Sequence, residues 1–271
     1  MLFFSMQHQE FDVPVALQDT IRCFWYHMND AETFEVMPDG YAEIVFYFGG
    51  PCTISYHGLL QPLPSPFMMG LLNKPVVIHP QSRLEILGIR CFPWTVFDLL
   101  GLPSEKAGVH MFEHPIAHLQ PILQEFIIAG KIADALAYLT QYFTAARSKV
   151  AIDSMLSKAG AAMQHAKGAI AVSQVAAAAQ ATVRTLERKF KQSSGYSVKD
   201  VAGLMRFEQA RNELWLHPDT NLAGLAQELG YTDQSHLSKE FKRYTGTTPG
   251  AFARRAKKRK MAVSDDFITF Q

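Results

Sequence analysis

A pattern that occurs twice in the last third of the chain constrains the fold more than any other feature. Residues 173–198 and 222–249 each combine a short apolar stripe, a break and a second helix-like stretch. Apolar residues three and four positions apart give each helix one buried face. Four positions of the first copy recur 51 positions later: Leu186 as Leu237, Phe190 as Phe241, Gly195 as Gly246, and Ser197 as Thr248. The repeat predicts two helix-turn-helix units in tandem, which is more specific than a single helical hairpin.

Each copy contains a turn between its two helices. In the second copy Gly230 suits the left-handed conformation that ends a helix, and Thr232 or Asp233 suits the cap of the next helix. In the first copy Gln180 stands where the second has its glycine. The first turn is also one residue shorter, since six positions separate Gln180 from the following core leucine and seven separate Gly230 from its own.

The helix after each turn has an apolar side and a side rich in amides and cations. In the first of these helices four side chains share one face: Arg184, Glu187, Arg188 and Lys191. Arginine pairs with guanine and glutamate accepts from cytosine in the major groove, so Arg184, Glu187 and Arg188 are predicted to read bases. A solvated face is the usual explanation for exposed charges on one helix. The tandem arrangement favours DNA binding over that explanation.

Two stretches carry a family resemblance. GYTDQSHLSKEFKRYTGTTPGAF, from Gly230, resembles the signature of the AraC/XylS family of transcription regulators, and ATVRTLERKFKQSSG, from Ala181, is similar to the first-unit counterpart. The resemblance covers residues 169–255. Gln180 is a departure, because the family usually has a turn glycine there. The resemblance implies base contacts by the three first-unit residues and, on the second helix, by the family's matching sites Gln234, Ser235 and Lys239.

Further cations flank the predicted reading faces. Four of them are predicted to lie over phosphates: Lys189 and Lys191 in the first unit, Lys242 and Arg243 in the second. The basic run ARRAKKRK at 253–260 either adds phosphate contacts or forms a solvated end. Arg206 and Arg211, on the helix predicted between the units at 196–216, are interpreted as structural or phosphate-facing. That helix would be the rigid spacer that two adjacent major-groove segments, about 34 Å apart, require.

The charge distribution agrees with this interpretation. The net charge is only +1, but residues 1–167 hold 10 basic and 15 acidic side chains, whereas residues 168–260 hold 16 and 8. A basic domain is the electrostatic footprint of nucleic-acid binding.

The first third of the chain is predicted to be β-rich. YAEIVFYFGG from Tyr41, PVVIHP from Pro75 and RLEILGIRCF from Arg83 are aromatic and β-branched, with clusters of proline and glycine between them. Short strands at this spacing favour a β-sandwich or a small barrel. MPDGYAEIVFYF and GIRCFPW also resemble the amino-terminal domain of a subset of AraC-like regulators, which implies a sensing or interaction domain.

The middle of the chain has a helical period. Residues 115–163 contain three apolar stripes, which are predicted to pack within their own domain, with dimer contact as the alternative. Residues 165–168 are predicted to link the domains.

A catalytic or metal site is the competing interpretation for the first half of the chain. His110, His114 and His118 are four residues apart, as zinc ligands on one helix are, but Pro115 disfavours a continuous helix. Cys23, Cys52 and Cys91 form no C-x-x-C pair and are interpreted as reduced thiols, with Cys91 in an apolar run. No phosphate-binding loop or nucleophile elbow is present. We therefore predict no enzyme, no metal and no cofactor.

Together these observations predict an α+β two-domain protein. The domains expected are a β-rich sensor or interaction domain at 1–110, a helical extension at 111–166, an all-α tandem helix-turn-helix DNA-binding domain at 167–260, and a tail at 261–271. The expected function is sequence-specific transcription regulation in the cytoplasm, and the alternative is a non-specific DNA-architectural protein. The expected partners are double-stranded DNA and a small-molecule effector, with RNA polymerase and a second copy as further options and no membrane.

Overall fold

The computed structural model describes residues 8–56, 58–102, 108–110 and 114–263. The strands are β1 (His8–Asp12), β2 (Ile21–Asn29), β3 (Phe34–Val36), β4 (Ala42–Gly49), β5 (Cys52–Tyr56), β6 (Leu59–Leu63), β7 (Phe67–Met69), β8 (Val76–Pro80), β9 (Leu84–Cys91) and β10 (Val109–His110). The α-helices are α1 (Val96–Leu100), α2 (Leu119–Ile128), α3 (Ile132–Arg147), α4 (Ser154–His165), α5 (Val172–Ala178), α6 (Val183–Ser194), α7 (Val198–Leu216), α8 (Leu222–Glu228), α9 (Gln234–Thr245) and α10 (Pro249–Val263).

The N-terminal strands form two antiparallel sheets. One has the order β1-β2-β9-β4-β7-β10 and the other the order β3-β8-β5-β6. Their facing sides share an apolar core that includes Trp25 and Val45 from the larger sheet and Ile54 and Ile78 from the smaller one. Of the two architectures left open by the sequence, the sandwich is the observed one. The predicted β-rich N-terminal region is confirmed.

Helices α2 and α3 cover the other face of the larger sheet. Leu123, Leu139 and Phe143 are fully buried in one core with Phe46 and Leu87 of that sheet. This explains why the strands β4 and β9 are apolar on both faces: one side meets the smaller sheet and the other meets helices. Two of the three predicted helical stripes therefore pack within the N-terminal domain.

The third stripe packs elsewhere. The sequence groups α4 with the helical extension before residue 167, but Leu156, Ala159 and Met163 are buried in the core of the tandem unit. The residues predicted as a linker, 165–168, end α4 in a tight turn. Gly168 has φ +78°, and a Cβ there would lie 2.2 Å from the carbonyl oxygen of Ala202 on α7. Residues 148–153 connect α3, which packs in the core of the larger sheet, to α4, which packs in the core of α5 to α10.

Helices α4 to α10 share one apolar core. Phe190 of α6, Phe207 of α7 and Phe241 of α9 are fully buried, and the ring centroids of Phe207 and Phe241 are 5.2 Å apart. The spacer helix predicted at 196–216 is observed as α7, 19 residues long. Ser197 caps it by accepting a hydrogen bond from the backbone of Asp200. The two-domain fold class predicted from the sequence is confirmed.

The β domain docks on the tandem unit through Trp94. Its ring stacks on Phe92 at 5.2 Å and meets Phe190 of α6 at 5.8 Å. Gly160 of α4 leaves the space for this ring, since a Cβ there would lie 2.1 Å from it. Ser193 Oγ donates to the backbone carbonyl of Trp94 at 2.7 Å. The β domain thus packs against the buried side of α6.

A second docking point joins α7 to the loop before β4. The guanidinium of Arg211 is 1% exposed and donates to the carbonyl oxygen of Pro38 at 2.8 Å. Glu208, one turn earlier on α7, accepts a long hydrogen bond from the backbone of Gly40 at 3.5 Å and lies 3.9 Å from Arg211. Burial raises the pKa of Glu208, and the nearby carboxylate of Asp39 adds to the effect. Arg211 is structural, as one of its two interpretations proposed.

Candidate nucleic-acid interface

The two predicted helix-turn-helix units have the same burial pattern. In the first unit α5 buries Val175 and Ala176 and is followed by buried Ala179, and in the second unit α8 buries Leu225 and Ala226 and is followed by buried Leu229. These positions differ by 50, whereas the core positions of α6 and α9 differ by 51, as Leu186 and Leu237 do. The extra residue lies in the second turn, where the sequence places it.

Both turns use the left-handed backbone conformation. Gly230 has φ +70°, and Gln180 has φ +54° at the equivalent point. A side chain in this region costs roughly 1–2 kcal/mol relative to glycine. Lys158 Nζ of α4 donates to Gln180 Oε1 at 3.1 Å, which gives the glutamine a contact that glycine lacks. The first turn therefore begins with the same left-handed residue as the second despite the missing glycine.

Side-chain caps start both outer helices. Thr182 accepts a hydrogen bond from the backbone of Thr185 at the start of α6, and Asp233 accepts one from the backbone of His236 at the start of α9. Left-handed glycines end both helices, Gly195 with φ +77° and Gly246 with φ +71°. His236, in the first turn of α9, is exposed and packs edge-on against Tyr231 at 5.3 Å.

On α6 three of the predicted contact residues face solvent: Arg184, Arg188 and Lys191 are exposed. Glu187 is half-buried, and its carboxylate accepts a hydrogen bond from the backbone of Val198 at 3.3 Å. This bond satisfies one of the free amides at the start of α7. Base reading by Glu187 requires the carboxylate to leave that amide, and its role stays a prediction.

Lys189 lies apart from this group. It is half-buried, and its ammonium is 3.3 Å from the carboxylate of Asp153, which also caps α4. On a helix with 100° per residue it points about 100° away from Arg188. The phosphate contact predicted for Lys189 would require this ion pair to open.

On α9 every predicted contact residue is exposed. The base-reading candidates are Gln234, Ser235 and Lys239, and the phosphate candidates are Lys242 and Arg243. The guanidinium of Arg243 lies over the ring of Tyr244, 5.4 Å from its centroid, in a cation–π contact. Among the described residues, Lys239 and Lys242 form no ion pair. These cations are therefore available to an anionic partner.

A buried polar cluster supports α9 from below. Arg206 of α7 donates to Glu240 at 3.3 Å and lies 4.6 Å from the ring centroid of Tyr231, whose hydroxyl donates to Glu240 at 2.8 Å. Burial and the neighbouring Glu240 raise the pKa of Tyr231 well above its usual range. Arg206 thus fixes α9 on α7 and does not face outward.

Helix α10 carries the basic run. Arg254, Arg255, Lys257 and Lys258 are exposed, and Lys257 forms a surface ion pair with Asp219 at 2.8 Å. The side chains of the last two residues of the run, Arg259 and Lys260, lie outside the described part of the chain. A regular helix, not a frayed end, therefore presents most of these charges.

The metal interpretation depends on His114, which has other partners. His114 caps the short 3-10 turn at Pro115–His118: its Nδ1 accepts from the backbone of Ile116 at 3.1 Å, and its Nε2 lies 2.8 Å from the carbonyl oxygen of Leu100. Both nitrogens are thus engaged, and the side chain of His110 lies outside the described residues. Within the described residues no group of three metal-ligating side chains occurs.

The three thiols are buried, including that of Cys91 in its apolar run. Burial raises the pKa of Cys23 to about 12 and that of Cys52 to about 11, and it raises that of Cys91 as well. A reactive cysteine needs a lowered pKa and access, and these have neither. Nor is any helix in the described residues long and apolar enough to cross a membrane.

One cavity between the two sheets is small. A cavity between the sheets, lined by residues that include Val45, Phe67 and Ile86, measures about 10 Å³. That is the space of about one water molecule, whereas a drug-sized ligand needs about 300 Å³ or more. An effector of that size would bind here only if the two sheets moved apart.

The fold and the exposed outer helices define a tandem helix-turn-helix protein with an N-terminal β domain. Residues 175–255 match the family described as a helix-turn-helix domain, and residues 9–109 match a domain of unknown function, DUF6597. The C-terminal region is an AraC-type helix-turn-helix domain, and the N-terminal region is a DUF6597 domain. The family resemblance inferred from the sequence is confirmed.

The similarity to individual proteins is local in sequence. The chain is 32% identical over 71 residues to an uncharacterized transcriptional regulatory protein, YesN, of Bacillus subtilis, and 35% identical over 69 residues to the HTH-type transcriptional regulator RipA of Corynebacterium diphtheriae. Each match covers 26% of this chain, which spans about a fifth of the length of these curated relatives (19% and 20%). ToxT of Vibrio cholerae, crystallised with an unsaturated fatty acid, aligns over 93% of this chain and 97% of its own, with a TM-score of 0.48 and 11% identity.

Proposed function

We propose that the protein is a sequence-specific transcription regulator that reads two adjacent major-groove segments with α6 and α9. The observation that carries the proposal is the pair of equivalent outer helices, each capped at its start, buried at its back and exposed along a face of amides and cations. In a helix-turn-helix protein the second helix of each unit enters the major groove with its N-terminal residues towards the bases.

The rigid mounting of the two helices supports a reading of both segments at once. Helix α7 contributes to the same apolar core as α6 and α9, and its 19 residues span about 28 Å. Neither unit could rotate independently without exposing Phe190, Phe207 or Phe241, whose burial stabilises the fold by roughly 1.5–3 kcal/mol each.

We assign base contacts to Arg184, Glu187, Arg188, Gln234, Ser235 and Lys239, and phosphate contacts to Lys189, Lys191, Lys242 and Arg243. Phosphate contacts position the protein, and base contacts specify the sequence. Within this set Arg188 and Lys239 occupy equivalent exposed positions, 51 residues apart. They are the first residues to test.

The N-terminal domain would modulate DNA binding through its contacts with α6 and α7, by Trp94 and by the Pro38 loop. The small cavity between the sheets favours an effector or partner that acts at a surface or at this domain contact over one held inside the sandwich. A second copy and RNA polymerase are the protein partners that such a regulator would engage.

The decisive experiment is selection of DNA sites from a random pool by the purified chain at defined salt. A motif of two blocks about one helical turn apart is the expected result. Binding that fades with salt and prefers no sequence would replace the proposal with the architectural alternative, for which the basic face of α10 would account.

A pair of variants then tests the assignment of roles. Arg188→Ala should lower affinity for the selected site by about 1–3 kcal/mol and relax the preference at one base pair. The control is Lys258→Ala, which removes an exposed cation on α10 and should weaken binding to all sequences alike. An equal loss on all sequences with Arg188→Ala would reassign this side chain to a phosphate.

A further inference from the structure

The outer surface of α6 contains one exposed apolar side chain to which the proposed function assigns neither a base contact nor a phosphate contact. Val183, the first residue of the helix, is 44% exposed, whereas the other apolar residues of α6, Leu186 and Phe190, are fully buried. At the start of an otherwise polar surface, its isopropyl group is accessible to an apolar partner.

Its position places it beside the residues assigned to bases. Val183 precedes Arg184 and stands four residues, about one helical turn, before Glu187. With the spacing of 51 that relates α6 to α9, its equivalent is Gln234, which is also exposed at the first position of its helix. Residues at the start of a recognition helix are those that reach base edges.

The side chain is held rigidly in that place. Thr182, immediately before it, accepts from the backbone of Thr185 at 3.2 Å and donates to the hydroxyl of the same residue at 2.9 Å, which fixes the first turn. A β-branched side chain in a helix has one strongly preferred χ1 rotamer. Binding through Val183 therefore costs little conformational entropy.

We propose that Val183 specifies a thymine in the DNA segment read by α6, by packing against the 5-methyl group. An isopropyl group neither donates nor accepts hydrogen bonds, and among the four bases only thymine presents an apolar group in the major groove. The equivalent Gln234 would instead form hydrogen bonds, so the two segments would differ in sequence at this position. The inference rests on the proposed sequence-specific function.

The test uses the site selected by the wild-type chain and removes methyl groups one at a time. Each thymine of the segment read by α6 is replaced by deoxyuridine, and affinity is measured for the wild type and for Val183→Ala. One replacement should weaken wild-type binding about three- to fivefold, the effect expected for burial of one methyl group. The same replacement should leave the affinity of Val183→Ala unchanged. At that position 5-methylcytosine should bind the wild type more tightly than cytosine does, and Val183→Ala should not distinguish the two.

The control is Val15→Ala, which removes an 83% exposed valine from the β domain and should behave as the wild type with every duplex. A selected motif in which no deoxyuridine weakens binding, or in which the methyl effect persists in Val183→Ala, would overturn the inference and leave the proposed function standing. Failure to select any motif would overturn both.

Discussion

Replacing Arg211 by methionine tests how much the deeply buried guanidinium between the two domains contributes to the free energy of unfolding. Methionine keeps the length and most of the volume of the side chain and removes the guanidinium. That group is 1% exposed, 2.8 Å from the carbonyl oxygen of Pro38 and 3.9 Å from the carboxylate of Glu208. The variant thus leaves a buried carbonyl without its donor and a largely buried carboxylate without its nearest cation.

The expected loss of unfolding free energy is about 3–5 kcal/mol, as found when one partner of a buried ion pair is removed. The hydrogen bond to Pro38 accounts for roughly 1.5–3 kcal/mol of it, since the donor is charged. The remainder comes from Glu208, whose pKa is already raised by burial and would rise further without Arg211. Neutralising the acid as well, in Glu208→Gln with Arg211→Met, should therefore restore about 1–2 kcal/mol relative to the sum of the single changes.

Urea unfolding at pH 7, followed by tryptophan fluorescence and by circular dichroism, measures these differences. The matched control is Arg22→Met: Arg22 is half exposed and 4.0 Å from Asp12, so its loss should cost less than about 1 kcal/mol. The reasoning would be refuted if Arg211→Met were as stable as the control variant. It would also be refuted if the double variant showed simple additivity.

Three further changes are expected to alter stability in directions set by local geometry. Gly160→Ala should destabilise the chain by about 1–3 kcal/mol, because its Cβ would lie 2.1 Å from the indole ring of Trp94. Gly224→Ala, whose Cβ would meet only Asn221 Oδ1 at 4.0 Å, should be neutral or stabilising in the same thermal melt. Gln180→Gly should raise stability by up to about 1 kcal/mol in urea unfolding, since φ is +54° there, and Gly230→Gln should lower it. Burial lowers the pKa of His27 from 6.5 to about 4, so the unfolded chain binds its proton more readily. The contribution of neutral His27 to the free energy of unfolding should be present in full above pH 6.5. It should be lost, by up to about 3 kcal/mol, as the pH falls from 6.5 through 4, and His27→Phe should flatten that dependence.

The tandem unit could be predicted in detail because local sequence rules govern it. The turn, the caps, the ends of the helices and the apolar spacing all depend on residues within about five positions of one another. Even the shorter first turn follows from counting to the next core leucine. The exposed faces follow from the same period, since a helix that buries Phe190 and Leu186 must expose Arg184 and Arg188.

The hydrogen bond of Glu187 and the ion pair of Lys189 could not be predicted in this way. Each is bound by a partner outside its own helix, the backbone of Val198 in one case and Asp153 in the other. Helical periodicity describes which side of a helix a residue occupies and says nothing of what packs against that side. The packing of α4 could not be predicted for the same reason: its stripe is amphipathic, and either domain offers an apolar surface to it.

The sandwich illustrates a third limit. Strands β4 and β9 were recognised by their aromatic and β-branched residues, but β2 is equally buried and was not singled out, because its sequence IRCFWYHMN mixes polar and apolar residues. Within this strand Trp25 Nε1 donates to Glu43 of β4 at 2.6 Å. Burial that depends on a partner 18 residues away leaves no periodic signal in the strand itself.

Helix α7 links these observations to function. It supplies Phe207 to the core beneath α9, Arg206 to the cluster that holds α9, and Arg211 to the loop of the β domain. A displacement of that loop therefore acts on the element that sets the distance between the two outer helices. Because packed interiors shift between discrete arrangements and do not deform continuously, a change at Pro38 would be transmitted as a change in the spacing or tilt of α9 relative to α6. Under the proposed function, that spacing determines whether both helices fit their grooves at the same time.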